Sequence, residues 1–361
     1  MKRRFDSPLE VAKEFQARGL PARFCHVPFT TLILEPDGTV GSCRMKGTLF
    51  TVGDLRHQTP DEIWNGPKLR EWRRQFLQGD PVFCQKEVRC NACHLCPDYN
   101  SLLPVTEARE ELSSGPLRLG LNLNGRCNLE CQMCHIWKEP NGLYDEWGLW
   151  PKVLEMASKA KEIELFSGEP FIQKDTYRLI EALSQSNPDC LWTITSNGHW
   201  ILTDKIKEAL DKIDVKHLTI SMDSLNPETY AKIRRKGRLQ MVLDNLKRLQ
   251  EYDHSRLERG LPSLSLRISF AVQKDNWKEL GDFHEFGKKM NLPIFRAFVY
   301  EPKSCSLLTL SPSEKEELLD FCRNTLTKEQ WLHSRRAIVP VMDSLPAVDR
   351  ARHLLEFREL L

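Results

Sequence analysis

At 361 residues the chain is long enough for one large domain and one small one. Lys and Arg number 52 against 50 Asp and Glu, so no overall field favours nucleic acid or an anionic membrane, and no apolar run approaches the length of a membrane span. The charged start Met1-Lys2-Arg3-Arg4 leads into Phe5-Asp6-Ser7-Pro8, not into the apolar stretch of a secretory signal, so the sequence reads as cytoplasmic. There a disulfide framework is excluded for the 12 cysteines. Nine of them crowd between Cys25 and Cys134, which points to metal.

In chain order, a helix is expected over residues 1–20, with Ser7-Pro8-Leu9-Glu10 as its capping box and Gly19 as its stop. Thr31–Leu34 and Thr39–Cys43 flank the turn Pro36-Asp37-Gly38 and read as a β-hairpin that brings Cys25 and Cys43 within reach of one metal. Leu49–Leu55 is a further strand. Thr59-Pro60-Asp61-Glu62 caps an amphipathic helix with Ile63, Trp64, Leu69, Trp72 and Phe76 on its apolar face. The segment closes with Cys84-x5-Cys90-x2-Cys93-x2-Cys96-Pro97. These features make residues 1–100 a small α+β, Cys-rich domain with a β-hairpin, followed by a linker over 101–116.

Residues 117–326 alternate. Strands are expected at Leu117–Leu123, Glu162–Phe166, Leu191–Thr195, His217–Ser221, Leu264–Val272 and Pro293–Val299, with helices near 150–160, 175–187, 203–213, 227–252, 277–291 and 312–326. Six β-then-α units imply an α/β fold with parallel strands and right-handed crossovers. From pattern alone a doubly wound sheet and a partial barrel both remain open, and in either one ligands gather beyond the carboxyl ends of the strands. Residues 327–361 read as a helical tail packed on the rest of the chain, with a partner-binding helix as the alternative.

The first strand runs into Cys127-x3-Cys131-x2-Cys134. Three thiolates hold three irons of a four-iron cluster and leave the fourth open, as a catalytic site requires. A structural zinc site with His135 as fourth ligand is the alternative on spacing alone. This spacing resembles the signature of the radical S-adenosylmethionine (radical SAM) superfamily, and the motif's place after the first of six βα units argues against zinc. The resemblance implies a partial (β/α)6 TIM barrel, a [4Fe-4S] cluster on Cys127, Cys131 and Cys134, and SAM chelated to the open iron.

Further positions carry the likeness. Ser167-Gly168-Glu169-Pro170 ends the second strand and resembles the family's Gly-Gly-Glu-Pro loop, whose carbonyls accept from the SAM amino group. Ser in the first position makes positive φ harder there. Ser196 and Asn197, after the third strand, and Ser221 and Asp223, after the fourth, resemble the positions that meet the SAM ribose and carboxylate. Arg234 lies where many relatives carry an arginine near that carboxylate; a solvated helix charge beside Arg235 and Lys236 is the alternative. Met133 stands where relatives place an aromatic residue against the adenine, and its thioether can pack on a ring.

The N-terminal segment resembles the Twitch and SPASM auxiliary-cluster domains, through Cys25-x12-Gly38-x4-Cys43, Gly53-Asp54-Leu55, Glu62-Ile63-Trp64-Asn65 and the closing Cys-x2-Cys. The likeness implies a second [4Fe-4S] cluster on Cys25, Cys43, Cys90 and Cys93. A local set of Cys84, Cys90, Cys93 and Cys96 is the rival, and a zinc ribbon the alternative to iron. In this chain the auxiliary domain precedes the barrel, whereas the family's commoner order is the reverse.

The resemblance implies one-electron cleavage of SAM to a 5′-deoxyadenosyl radical that abstracts hydrogen from a substrate, with an external flavodoxin- or ferredoxin-type reductant. The second cluster is read as the acceptor of the substrate electron; binding substrate or stabilising the fold are its other readings. The expected outcome is oxidation of a peptide or sugar-type metabolite, or epimerisation if a hydrogen donor quenches the radical. Cys305, after the sixth strand, is the candidate donor; Cys190 and Cys322 are read as packing. A non-catalytic zinc or iron–sulfur scaffold is the competing class.

Overall fold

Asp37 and Gly38 turn the chain at its first sheet. Asp37 Oδ1 accepts from Thr39 N at 3.0 Å and Gly38 takes φ +80°, a left-handed conformation that glycine adopts without strain. The computed structural model describes residues 5, 7–43, 50–84, 95–97 and 99–359. The chain divides into two units, residues 1–126, 139–193 and 208–216, and residues 127–138, 194–207 and 217–361.

In the first unit, β1 (Thr31–Leu34) pairs antiparallel with β2 (Thr39–Gly41), and β2 with β3 (Gly53–Asp54). The other edge of β1 pairs in parallel with β4 (Arg118–Leu121), Leu32 opposite Leu119, and β4 in parallel with β5 (Glu162–Leu165). The hairpin therefore continues the sheet begun by the first βα unit, a pairing that no local pattern announces. The third strand is shorter than expected, and residues 44–49 lie outside the described ones.

The single helix expected after Thr59 is two, Pro60–Trp64 and Pro67–Leu77. Pro67 pushes Gly66 into extended backbone (ψ 160°), which ends the first helix. Arg73 is buried behind them and donates to the carbonyls of Pro28, Trp64 and Glu110 and to Asn65 Oδ1. Asn65 also exchanges two 3.0 Å hydrogen bonds with the backbone of Leu112, so residues 110–112 are held against these helices.

Two buried charges at strand beginnings, Arg118 of β4 and Glu162 of β5, meet the half-buried Lys216. Glu162 Oε2 lies 2.6 Å from Arg118 Nη2, and Oε1 lies 2.6 Å from Lys216 Nζ and accepts from Ser101 Oγ at 2.8 Å. Burial opposes the Glu162 charge, but Arg118 and Lys216 outweigh it and bring its carboxyl down to about 2.

The remaining strands are β6 (Leu191–Ser196), β7 (Asp214–Ser221), β8 (Leu266–Val272) and β9 (Ile294–Phe298). In the second unit β7, β8 and β9 are parallel neighbours, with Ser221 opposite Ser269 and Val272 opposite Phe298. All six expected βα units are present in order.

One expected helix is broken. In place of 227–252 there are Pro227–Ile233, capped by Asn226, and Leu239–Glu258. Between them Lys236 takes φ +68°, and a Cβ on Gly237 would lie 2.7 Å from Arg234 O. The tail forms helices Lys328–Asp343 and Ala347–Glu356; the first packs on β9, and Trp331 stacks on Phe357 at 4.1 Å. No helix among the described residues is long and apolar enough to cross a membrane.

Candidate active site

The cysteine loop is fixed in the second unit by the helix break. Gln132 N donates to Ile233 O at 2.9 Å and Glu130 N to Arg235 O at 3.1 Å, two carbonyls that a continuous helix would have used internally. Gln132 Nε2 reaches past the end of β8, to Gln273 Oε1 at 3.0 Å and Asp275 Oδ2 at 2.7 Å.

Two groups address the first sulfur. Leu129 N lies 3.4 Å and Asn197 Nδ2 3.6 Å from Cys127 Sγ. Asn197 is itself held: its Nδ2 also donates to Asn128 Oδ1 at 2.8 Å, and its Oδ1 accepts from His199 N at 2.7 Å. His199 Nε2 accepts from Arg238 N at 2.7 Å, and burial lowers the ring's pKa, so it is a neutral positioning group.

Arg234 addresses the second sulfur. It is buried, with Nη1 3.9 Å from Cys131 Sγ and Nη2 2.8 Å from Asp223 Oδ2, so the solvated-charge reading is replaced by a buried ion pair. Burial opposes its charge, and Asp223 with Cys131 outweighs that, so Arg234 stays protonated. Asp223 also accepts from Ala271 N at 2.8 Å and, through its carbonyl, from Asn276 Nδ2 at 2.8 Å. Burial pushes the Cys131 thiol up to about 11; Arg234 pulls it down, and Asp223, Cys134 and Cys127 add to the rise. Burial likewise raises the Cys134 thiol.

The loop after β5 belongs to the first unit. Ser167 stays out of positive φ and its hydroxyl donates to Asn124 O at 2.9 Å, while the left-handed residue is Gly168, φ +56°. The constraint anticipated at Ser167 thus falls on its neighbour. A Cβ on Gly168 would collide with Arg126 O and come within 2.5 Å of Gln173 Nε2. Gln173 bridges Ser167 O and Arg126 O, both at 3.0 Å, and Glu169 N donates to Arg126 O at 2.9 Å. Glu169 is fully buried and caps the turn that begins at Pro170, accepting from Phe171 N at 3.2 Å.

Residues 121–286 match the radical SAM superfamily, and residues 25–97 match SPASM, an iron–sulfur cluster-binding domain. Residues 121–286 therefore carry a radical SAM domain and residues 25–97 a SPASM-type domain. The fold is the α/β radical SAM core with the SPASM-type domain at the amino end, and the two domains imply SAM and two [4Fe-4S] clusters. Among curated relatives, a probable GTP 3′,8-cyclase of Methanocaldococcus jannaschii is 26% identical over 174 residues, covering 46% of this chain and 54% of that protein. The GTP 3′,8-cyclase of Sulfurimonas denitrificans is 26% identical over 213 residues, covering 57% and 62%. The chain thus spans little more than half the length of these relatives. The crystal structure of Streptococcus suis SuiB has 18% or lower identity where compared; one form matches at 16% identity and TM-score 0.44, covering 85% of this chain and 68% of that one.

The thiols fit a radical SAM cluster. His135 is exposed. Cys127 and Cys134 act electrostatically on Cys131, and three thiolates are a donor set suited to an iron–sulfur cluster.

The other anticipated positions fall as follows. Met133 and Ser221 are half-buried. Ser196 Oγ accepts from Gly198 N at 3.1 Å and Trp200 Nε1 at 2.7 Å, which builds the turn that presents Asn197. Continuing the β1–β2 register puts Cys43 opposite Thr31, at the end of β1 that Cys25 approaches through the short helix Val27–Thr30. Cys84 is buried and Cys96 half-buried, while Cys90 and Cys93 lie outside the described residues. Cys190 and Cys322 are buried, and burial raises both thiols to about 12. Cys305 is 6% exposed and its carbonyl accepts from Lys274 N at 3.0 Å. Sequence reasoning missed Asn128, Gln132, Gln173 and His199. For Asn128 and Gln132 the available signal was an amide side chain directly after a motif cysteine.

Proposed function

We propose that this chain cleaves SAM reductively at a [4Fe-4S] cluster held by Cys127, Cys131 and Cys134 and uses the product to abstract hydrogen from an organic substrate, with net oxidation. A cluster held there would supply the electron that reduces the SAM sulfonium, and the 5′-deoxyadenosyl radical so released would be the hydrogen-abstracting species. The observation that carries this reading is the pairing of three grouped thiols with two dedicated neighbours, the Asn197 amide on Cys127 and the Arg234 guanidinium on Cys131. A donor and a cation beside the ligand sulfurs stabilise the added negative charge of a reduced cluster.

In this account Cys25, Cys43, Cys90 and Cys93 hold the auxiliary cluster that accepts the substrate electron, and an external one-electron reductant of flavodoxin or ferredoxin type feeds the first. Cys305, buried after β9, is the candidate hydrogen donor of the epimerisation outcome. Backbone carbonyls of Ser167–Pro170 take the SAM amino group, Ser196, Asn197, Ser221, Asp223 and Arg234 serve its ribose and carboxylate side, and Met133 its adenine. Peptide and sugar-type substrates remain within this reading.

A second reading is the cyclisation of GTP named for the curated relatives, supported by their similarity over about half of this chain. Anaerobic assay of 5′-deoxyadenosine separates the outcomes. Formation dependent on dithionite and on the three cysteines supports the first claim, stimulation by GTP with a cyclised product supports the second reading, and no SAM cleavage by iron-replete protein overturns both.

A further inference from the structure

A cleft of about 360 Å³ in the second unit is lined by His284, Lys288, Leu292, Arg296, Glu329 and His333, among others. Arg296 projects from β9 and is 4% exposed. Among the described residues its Nε and Nη2 have no hydrogen-bond partner, and Nη1 reaches Ile294 O, at 3.4 Å. A buried guanidinium without a carboxylate is costly, because desolvation is not offset by any opposite charge.

The neighbours deepen the imbalance. Glu329 is the one carboxylate among the described residues lining the cleft, and it is already shared by Lys288 at 2.7 Å and His284 at 3.5 Å. The rings of His284 and His333 stand 5.2 Å apart. Among the described residues no carboxylate pairs with Arg296, and the cleft's own Glu329 is engaged by Lys288 and His284.

We propose that this cleft binds a small oxyanion, a phosphate or carboxylate group, with Arg296 as its buried anchor and Lys288 and His333 at its rim. Phosphate and carboxylate each present a pair of acceptor oxygens that a guanidinium fork matches with two parallel hydrogen bonds. The cleft includes Leu292, Pro293 and Ile294, at the amino end of β9, whereas the cysteine loop bonds to Gln273 and Asp275 beyond the carboxyl end of β8. Because β8 and β9 are parallel, this is a site at the opposite strand ends from the cysteines. Bound there, the anion ties β9 to the helix Lys328–Asp343.

The test is thermal unfolding of the reconstituted full chain, titrated with inorganic phosphate or succinate against chloride at matched ionic strength. The expected result is a saturable rise in Tm with phosphate, succinate or both; the arm that responds names the oxyanion. Arg296→Met, which keeps side-chain volume without charge, should lose the rise. His333→Glu, a change at an exposed position, should weaken apparent affinity by about tenfold or more by placing a competing carboxylate at the rim. A rise that survives both substitutions, or no response to either oxyanion beyond that to chloride, overturns the proposal.

Discussion

Arg234 stands 3.9 Å from the sulfur of Cys131, held there by a 2.8 Å ion pair with Asp223. A backbone break frees the carbonyls that fix the cysteine loop, and the arginine just before it supplies the charge that the loop meets. Removing the guanidinium alone strands a fully buried carboxylate. Arg234→Met should cost about 3–5 kcal/mol of stability in a denaturant melt. The double variant Arg234→Met/Asp223→Asn should recover most of that loss while its SAM cleavage stays impaired. Full recovery of cleavage would make the pair purely structural.

Asn197 Nδ2 stands 3.6 Å from Cys127 Sγ, the sulfur proposed as a cluster ligand. Asn197→Leu should keep full iron content and lower the midpoint potential of the SAM cluster, since donors to ligand sulfur stabilise the reduced state. A spectroscopic redox titration beside wild type reads the shift. An unchanged potential removes Asn197 from that role.

Gly168→Ala places a methyl group on a left-handed residue packed against Arg126 O. The expected cost is about 1–3 kcal/mol of backbone strain, concentrated in this loop. Iron binding should survive while the KM for SAM rises several-fold. An unaltered KM would disconnect the loop from SAM.

The Arg118–Glu162–Lys216 cluster gives an acid limit to stability. Glu162 titrates at about 2 when folded and at 4.5 in its ordinary state, so it contributes fully above pH 4.5 and loses that contribution as pH falls towards 2. The shift corresponds to about 3 kcal/mol. Urea melts of wild type and Glu162→Gln at several pH values should differ most above pH 4.5 and converge at low pH; a difference independent of pH contradicts the assignment.

Strands β4 to β9 were legible because each is a short apolar run bounded by turn residues, and the caps Thr59, Asn226 and Ser311 stand where side-chain oxygens meet helix amides. The pairing of β1 with β4 was not legible, since parallel register between distant segments leaves no local periodicity. The break at 234–238 escaped because the apolar spacing continues across it, although Lys236-Gly237 marks it. Cys127, Cys131 and Cys134 stood out through spacing alone. The burial of Arg234 did not, because Arg234-Arg235-Lys236 reads as a solvated run until Asp223 is seen beside it.

The most direct test of the central claim is the EPR spectrum of anaerobically reconstituted, dithionite-reduced protein with and without SAM, in wild type and in a Cys127→Ala/Cys131→Ala/Cys134→Ala variant. The account predicts a [4Fe-4S]⁺ signal that changes on adding SAM in wild type, and loss of only that SAM-responsive component in the variant. A reduced cluster indifferent to SAM, or a SAM response that persists without the three thiols, contradicts it.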